Sequence, residues 1–257
     1  MLRVCDVVVA LRGAAALLPL VVFGGVACAE SELQAVTILG APLNLVQATT
    51  VISPPALRFH QDGRLYAAWI EKSGMQGEVK TALVPDDRSA AAQVQVNPSG
   101  VGPEAIHQSP GFAIGADGEQ LVTWSTAVKK PGALFASDLQ LARSTDKRAK
   151  FQAPVQVNDD GLAISHTFEN VSTGKNGEVY VAWLDGRNKD RSGAGVMLAC
   201  SRDHGITVEK NVVIDGMACP CCRPMVTEAP DGSLWVAWRK TFEGNVRDIV
   251  IARSTDQ

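Results

Sequence analysis

A ten-residue segment, "GMACPCCRPM" (216–225), carries the most reactive side chains of this sequence, the thiols of Cys219, Cys221 and Cys222. Thiolates are preferred ligands of soft and borderline metals, and the flanking thioethers of Met217 and Met225 favour Cu(I). Zinc, which binds mixed cysteine and histidine sets, is the second candidate. A disulfide, either Cys219–Cys222 or the vicinal Cys221–Cys222, is the competing interpretation and leaves one thiol over. The segment therefore predicts a metal-binding or redox loop.

The N-terminus has the pattern of a secretory signal spanning residues 1–29. Arg3 and Arg12 precede the apolar stretch "AAALLPLVVFGGVA", and small residues then predict cleavage after Ala29. A lipoprotein cysteine at Cys28 is the less favoured alternative. We therefore expect a secreted or periplasmic protein in an oxidising compartment.

Charge and hydropathy exclude two classes of partner. The formal net charge of −3 comes without a basic run, so there is no electrostatic footprint for nucleic acid. After the signal, no apolar stretch is long enough to cross a membrane. Residues 30–257 suffice for one domain with a substantial core. The sequence leaves two classes of partner open, a glycan or a protein.

Four segments repeat one pattern, in which an Asp-Gly or Asn-Gly pair is followed by a tryptophan seven residues after the Asp or Asn. The pairs begin 55 to 59 residues apart, at 62, 117, 176 and 231, and the tryptophans are Trp69, Trp124, Trp183 and Trp238. Such pairs between apolar runs favour hairpins, because both turn positions need positive φ. The strand after each turn is apolar on both faces, as in a sheet packed between neighbouring sheets. The repeat therefore predicts the four-stranded blades of a β-propeller.

A second repeated element is Ser-x-Asp at the end of a later strand. The fullest copy, "SRDHGITV" (201–208), resembles the Asp-box, or bacterial neuraminidase repeat, of sialidase-like propellers. The resemblance implies that these residues form a structural turn between the outer strands, on the side away from the active site. The matching positions are Ser144, Asp146, Ser201, Asp203, Gly205, Ser254 and Asp256.

The resemblance implies an all-β, sialidase-like β-propeller with about four four-stranded blades present out of six. The alternative is a closed four-bladed ring, with "QAVTILG" (34–40) as the last outer strand. The domain is expected to span residues 30–257 as an incomplete propeller. The blades are expected near 51–100, 101–160, 161–216 and 217–257.

The register of the repeat suggests where the cysteines lie. Counting back ten positions from the Asp or Asn of each turn gives His107, His166 and Cys221 in three consecutive blades. Equivalent positions around a ring converge on its axis, so we expect these residues on one axial face, sharing a copper or zinc ion with Cys219 and Cys222. Cys200 directly precedes an Asp-box serine and is expected on the opposite face.

Sialidase chemistry has weak support. Retaining sialidases use a tyrosine nucleophile, but Tyr66 and Tyr180 fill a packing position of the repeat, and Arg58 is no substitute for the missing first arginine motif. We expect a non-catalytic protein, although its enzymatic status stays open. The alternative is an exo-sialidase or a glycan-binding propeller that recognises acidic sugars. The ligand-binding candidates are Arg223, Arg239, Asp185 and Arg187.

Overall fold

The computed structural model describes residues 44–45, 51–73, 76–86, 91–99, 101–103, 108–144, 150–187 and 193–255. The signal segment, segment 34–40, His107, Asp146 and Asp256 lie outside these ranges, so the expectations for them stay predictions. In the described part of the chain, no helix is long and apolar enough to span a membrane.

The first two sheets are antiparallel and follow chain order. The first contains β1 (Val51–Ile52), β2 (Ala56–Phe59), β3 (Leu65–Ser73), β4 (Gln76–Leu83) and β5 (Gln93–Gln95), and β1 and β2 both pair with β3. The second contains β6 (Gly111–Ile114), β7 (Gln120–Ala127), β8 (Ser137–Arg143) and β9 (Val155–Gln156).

The third and fourth groups of strands are joined into one sheet. The third contains β10 (His166–Thr173), β11 (Val179–Asp185), β12 (Ala194–Ser201) and β13 (Val212–Ala218). In the fourth, the described residues form β14 (Met225–Glu228), β15 (Leu234–Thr241) and β16 (Arg247–Ser254), with a 3-10 turn at Glu243–Asn245. A single pair, Ala218 with Lys240, links β13 to β15.

The four groups of strands stack as consecutive blades. The first strands β2, β6, β10 and β14 lie next to one another, as inner strands around an axis must. Apolar clusters fill each space between neighbouring blades, and a fully buried apolar side chain contributes about 1.5–3 kcal/mol. This arrangement confirms the predicted all-β propeller, with a three-stranded fourth blade in the described part.

The predicted turns form at all four pairs, but positive φ occurs only at the glycine of each pair and not, as predicted, at both positions. The turn glycines have φ of 84° at Gly63, 84° at Gly118, 90° at Gly177 and 82° at Gly232. Only glycine adopts these angles without strain from a Cβ atom. The Asp-Gly and Asn-Gly pairs therefore fix the same reversal of the chain in each blade.

The repeated tryptophans occupy one position, the fifth residue of β3, β7, β11 and β15, and their exposed fractions are 2%, 0%, 0% and 8%. A buried indole N–H needs an acceptor. In the first three blades the acceptor is two residues further along the strand: Glu71, Thr126 and Asp185. In the fourth blade that position is Lys240, and Trp238 donates instead to Asp215 at 2.8 Å.

The turn between β12 and β13 is built by side-chain hydrogen bonds to backbone N–H groups. Gly205 N donates to Ser201 Oγ at 2.9 Å, and Ile206 N and Thr207 N donate to Asp203 Oδ1 at 3.0 and 2.9 Å. Such Asx-type bonds close a turn locally. In the second blade, Gln120 N donates to Ser144 Oγ at 2.8 Å.

Candidate functional site: a three-cysteine loop beside an axial cleft

The cysteine loop connects β13 to β14, from the outer strand of the third blade to the inner strand of the fourth. Cys219 N donates to the carbonyl of Arg239 at 2.8 Å, and Cys222 N donates to the carbonyl of Cys219 at 3.3 Å. The loop is therefore a tight turn anchored on β15. Tertiary structure fixes the backbone that carries the three thiols.

The three sulfur atoms form a compact triangle. The Sγ–Sγ distances are 3.5 Å for Cys219–Cys221, 4.0 Å for Cys221–Cys222 and 3.1 Å for Cys219–Cys222. Two thiolates on one tetrahedral metal, each with a bond of about 2.3 Å, have sulfurs about 3.8 Å apart. The triangle therefore has nearly the size of a three-thiolate metal site.

Two guanidinium groups face the thiols. Arg247 Nη1 lies 3.4 Å from Cys219 Sγ, and Arg239 Nη1 lies 3.7 Å from Cys222 Sγ. Arg239 is a sequence-predicted ligand-binding residue, whereas Arg247 was not predicted to lie at the site. The available signal was its position at the start of β16. This strand pairs with β15, and β15 anchors the cysteine loop.

The thiols differ in acidity. Burial opposes ionisation of Cys219, but the N–H of Cys221, the neighbouring thiols and the Arg247 charge outweigh it and lower the pKa of Cys219 to about 7. Hydrogen bonding and repulsion from Cys219 and Cys222 raise the pKa of Cys221. Cys219 is thus the first of these two to become a thiolate, the reactive and metal-binding form.

The structure does not bring His166 together with the cysteines. Its side chain is fully buried, with Nδ1 donating to the carbonyl of Ser137. Nε2 lies 3.3 Å from Asp160 Oδ2 and 3.6 Å from Asp185 Oδ2. His166 therefore belongs to a separate polar cluster, formed by residues of the second and third blades.

Arg187 and Asp185, also predicted as ligand contacts, lie in this second cluster. Arg187 Nε donates to Asp185 Oδ1 at 2.9 Å and lies 3.5 Å from Asp160 Oδ2. Asp185 also accepts from the Trp183 indole at 3.0 Å. The imidazole and two carboxylates of His166, Asp160 and Asp185 are close enough together to hold a metal ion. The guanidinium already supplies the positive charge that these carboxylates need, which indicates a structural network.

Arg223 ties the cysteine loop to the second blade. Its Nη2 donates to the carbonyl of Ser109 at 2.8 Å and lies 3.3 Å from Gln108 Oε1. Burial raises the pKa of Glu169, and the nearby Arg223 charge partly offsets that rise. Burial lowers the pKa of Arg58, and the Arg223 charge lowers it further. Arg223 thus positions the loop beside the axis.

Cys200 is remote from the other thiols. Ala194, at the start of β12, pairs with Ala218, directly before Cys219. Cys200 lies six residues further along β12, about 20 Å away at ~3.3 Å per residue. Burial raises its pKa to about 11, so Cys200 is an unreactive thiol at neutral pH.

A cleft of about 610 Å³ opens next to the cysteine loop, with Pro220 on its wall. Trp124, Phe168 and the buried Glu169 also line it. Glu169 was not among the sequence-predicted site residues. The available signal was a charged residue within the inner strand of a blade, in the segment "HTFENV" (166–171).

Comparison with known proteins supports the fold. No protein-family model and no curated protein matches the sequence. A protein of unknown function from Dyadobacter fermentans has TM-score 0.58 and 17% identity, over 80% of this chain and 66% of its own. An α-L-arabinanase from Penicillium chrysogenum, solved with arabinobiose, has TM-score 0.54 and 17% identity over the same shares.

A leech intramolecular trans-sialidase, solved with 2,7-anhydro-Neu5Ac, has TM-score 0.57 and 12% identity, over 86% of this chain and 52% of its own. The chain therefore spans about half to two thirds of the length of these structures. It has the fold of a sialidase-like β-propeller. Identities this low establish the fold and leave function to the site.

Proposed function

We propose that this protein is a β-propeller whose cysteine loop binds one thiophilic metal ion, with Cu(I) as the first candidate and Zn(II) as the second. The observation that carries the proposal is the triangle of Cys219, Cys221 and Cys222, whose Sγ atoms lie 3.1–4.0 Å apart. Thiolate ligands favour Cu(I) and zinc over harder metals.

The charges around the loop favour Cu(I). Three thiolates and one monovalent ion carry a net charge of −2, and the two guanidinium groups of Arg239 and Arg247 balance it. Zinc would leave one positive charge in excess and also needs a fourth ligand. Among the described residues the cluster offers three ligand atoms. His107 is a proposed further ligand.

A dithiol–disulfide site is the second candidate. Cys219 and Cys222 are the closest pair of sulfurs, at 3.1 Å, and have the C-x-x-C spacing of redox-active cysteines. A lowered pKa at Cys219 supports attack by this thiol on a disulfide. In that case the third thiol, Cys221, is left exposed and free.

The acidic-sugar alternative receives less support from the geometry. Arg223 donates to Ser109 and lies close to Gln108, and Arg239 faces Cys222. The Arg223 guanidinium is thus engaged with the backbone before β6, and the exposed Arg239 guanidinium faces a thiol. We further propose that the protein acts outside the cytoplasm, on the strength of its N-terminal signal pattern.

A Cu(I) titration of reduced protein under anaerobic conditions tests the metal proposal. In competition with bathocuproine disulfonate, we expect one equivalent to bind. Cys221→Ser and Cys222→Ser should each weaken binding at least tenfold, about 1.4 kcal/mol, because each removes one thiolate. Cys200→Ser is the matched control and should bind like the wild type.

Binding that is indifferent to all three loop cysteines would refute the metal proposal. The redox candidate is tested by measuring the Cys219–Cys222 disulfide in glutathione buffers. A reduction potential within the range of glutathione, together with no copper binding, would replace the first candidate with the second.

A further inference from the structure

The cleft beside the cysteine loop is lined mainly by apolar side chains. It is formed at the meeting point of the second and third blades, with contributions from the first and fourth. A volume of about 610 Å³ lies within the range of small-molecule sites. Its main apolar walls are Ile70, Trp124, Val128, Leu134, Phe135 and Phe168.

One acidic side chain, Glu169, is built into this cleft with only 5% of its surface exposed. A register shift in β10 between Thr167 and Asn170 brings Glu169 to its position. The preceding residue, Phe168, has φ of 60°, which is unfavourable for a bulky side chain. Strain of this kind concentrates at functional sites, because the surrounding structure must maintain it.

Burial, and not hydrogen bonding, favours the protonated carboxylic acid at Glu169. The hydroxyl of Ser125 donates to the carbonyl of His166 at 2.7 Å and lies 3.4 Å from Glu169 Oε2, where it is also the donor. Burial raises the pKa of Glu169 to about 7, although the Arg223 charge, the Ser125 hydroxyl and nearby N–H groups oppose the shift.

The charges near Glu169 are few. Lys129 is the one basic residue among the described residues that line the cleft, and Arg223 acts on Glu169 from the loop before β14. The packed strands β6 and β7 carry no titratable side chain. Groups on the other neighbouring strands are bonded elsewhere: Asp138 to Asn158, Arg143 to Gln152, Asp185 to Arg187, and Tyr180 to Glu228. The pKa of Cys219, in the loop that borders the cleft, is lowered to about 7, so this thiol also gains negative charge near neutral pH.

We propose that this cleft binds a small organic anion with an aromatic or aliphatic body, whose acidic head accepts a hydrogen bond from Glu169. The apolar walls hold the body of the ligand. While Glu169 is neutral, Arg223 and Lys129 make the local field positive, which favours an anion. Ionised Glu169 repels the same ligand, so binding weakens as pH rises.

Titration with 8-anilinonaphthalene-1-sulfonate, an aromatic anion that fluoresces on binding, tests the proposal on the full chain. We expect one site at pH 5.5 and an affinity at least about tenfold lower at pH 8.5, since each pH unit above the pKa lowers the protonated fraction tenfold. Cooperative thermal unfolding at both pH values ensures that the probe reports the folded state.

Glu169→Gln separates the buried acid from every other titrating group. The amide keeps a hydrogen-bond donor but cannot ionise, so binding should persist at pH 8.5. The matched control is Glu228→Gln, on the neighbouring β14, which should keep the wild-type pH dependence. A pH dependence that survives Glu169→Gln would overturn the assignment and point to Cys219.

Ala133→Trp gives a second test that leaves the buried acid untouched. Ala133 is half-buried on the cleft wall, and an indole there would fill part of the cleft. Loss of probe binding with unchanged thermal unfolding supports the proposal, whereas unchanged binding contradicts it. The cysteine triangle is not altered by this variant, so its outcome is independent of metal binding.

Discussion

At the scale of single residues, three neighbouring thiols have three different environments. Cys219 is buried and faces Arg247, Cys222 is half-buried and faces Arg239, and Cys221 is exposed. Because a thiolate is the ligand and the nucleophile, the environment rather than the residue type decides which cysteine reacts first. Between Cys219 and Cys221 it is Cys219, because its pKa is lowered to about 7 while the pKa of Cys221 is raised.

The acidity of Cys219 should depend on Arg247. In the reduced, metal-free protein, thiolate absorbance at 240 nm should show its first inflection near pH 7. Arg247→Gln removes the facing charge, which lowers this pKa less than the thiol and N–H hydrogen bonds do, and should raise that inflection by roughly half a pH unit. Arg253→Gln is the control, because Arg253 pairs with Asp231 at the other end of β16. An inflection that stays near pH 7 in Arg247→Gln would show that the thiol and N–H hydrogen bonds alone hold the thiolate.

At the scale of elements, each blade depends on a few side chains that close its turns. The turn after β12 has Asp203 as its main acceptor, bonded to Ile206 N, Thr207 N and Thr207 Oγ1. Burial opposes ionisation of Asp203, but these hydrogen bonds outweigh it and lower its pKa to about 2. The turn is therefore a local stabilising unit of the blade, whose strength depends on pH.

Asp203→Asn should destabilise the protein by about 1 kcal/mol at pH 7, the usual net value of such hydrogen bonds. The folded pKa is below the ordinary value of 3.8, so the stabilisation is present above pH 3.8 and is lost as pH falls through about 2. Urea unfolding at pH 7 and in acid measures the difference. Asp248→Asn, on exposed β16, should have little effect at either pH. Equal stability of Asp203→Asn and wild type at pH 7 would contradict the role of the turn.

At the scale of the whole molecule, a glycosidase-like propeller does not by itself provide glycosidase chemistry. Tyr66 and Tyr180 have exposed fractions of 3% and 1% and belong to the apolar clusters between blades. Tyr180 also donates to Glu228 Oε2 at 2.9 Å, and burial followed by this bond raises its pKa strongly. Neither phenol is placed as an activated nucleophile.

We therefore expect this chain not to release the fluorophore from a fluorogenic sialoside above background. The measurement is steady-state fluorescence with purified protein across pH 4–8. Turnover that disappears in Tyr180→Phe but not in Tyr66→Phe would show that the Tyr180 position is catalytic. Turnover that survives both variants would indicate a different nucleophile in the same fold.

Much of the fold follows from local sequence. The Asp-Gly and Asn-Gly turns require positive φ, and strands with two apolar faces must be covered on both sides. These demands act over a few residues and recur in every blade, so the pattern of Trp69, Trp124, Trp183 and Trp238 predicts the blades without reference to distant parts of the chain. The cysteine triangle is local as well, because its three members lie within four positions.

The surroundings of the site were decided by tertiary structure. Equal register predicted His166 beside the cysteines, but its ring contacts Asp160 and Asp185, and a register shift two residues later changes the direction of the side chains along β10. Arg247 reaches Cys219 across 28 residues of sequence. Side-chain direction and long-range proximity depend on how strands pack and where their pairing shifts. The sequence therefore determined which groups could do chemistry in this protein, and the packing of its blades decided which of them meet.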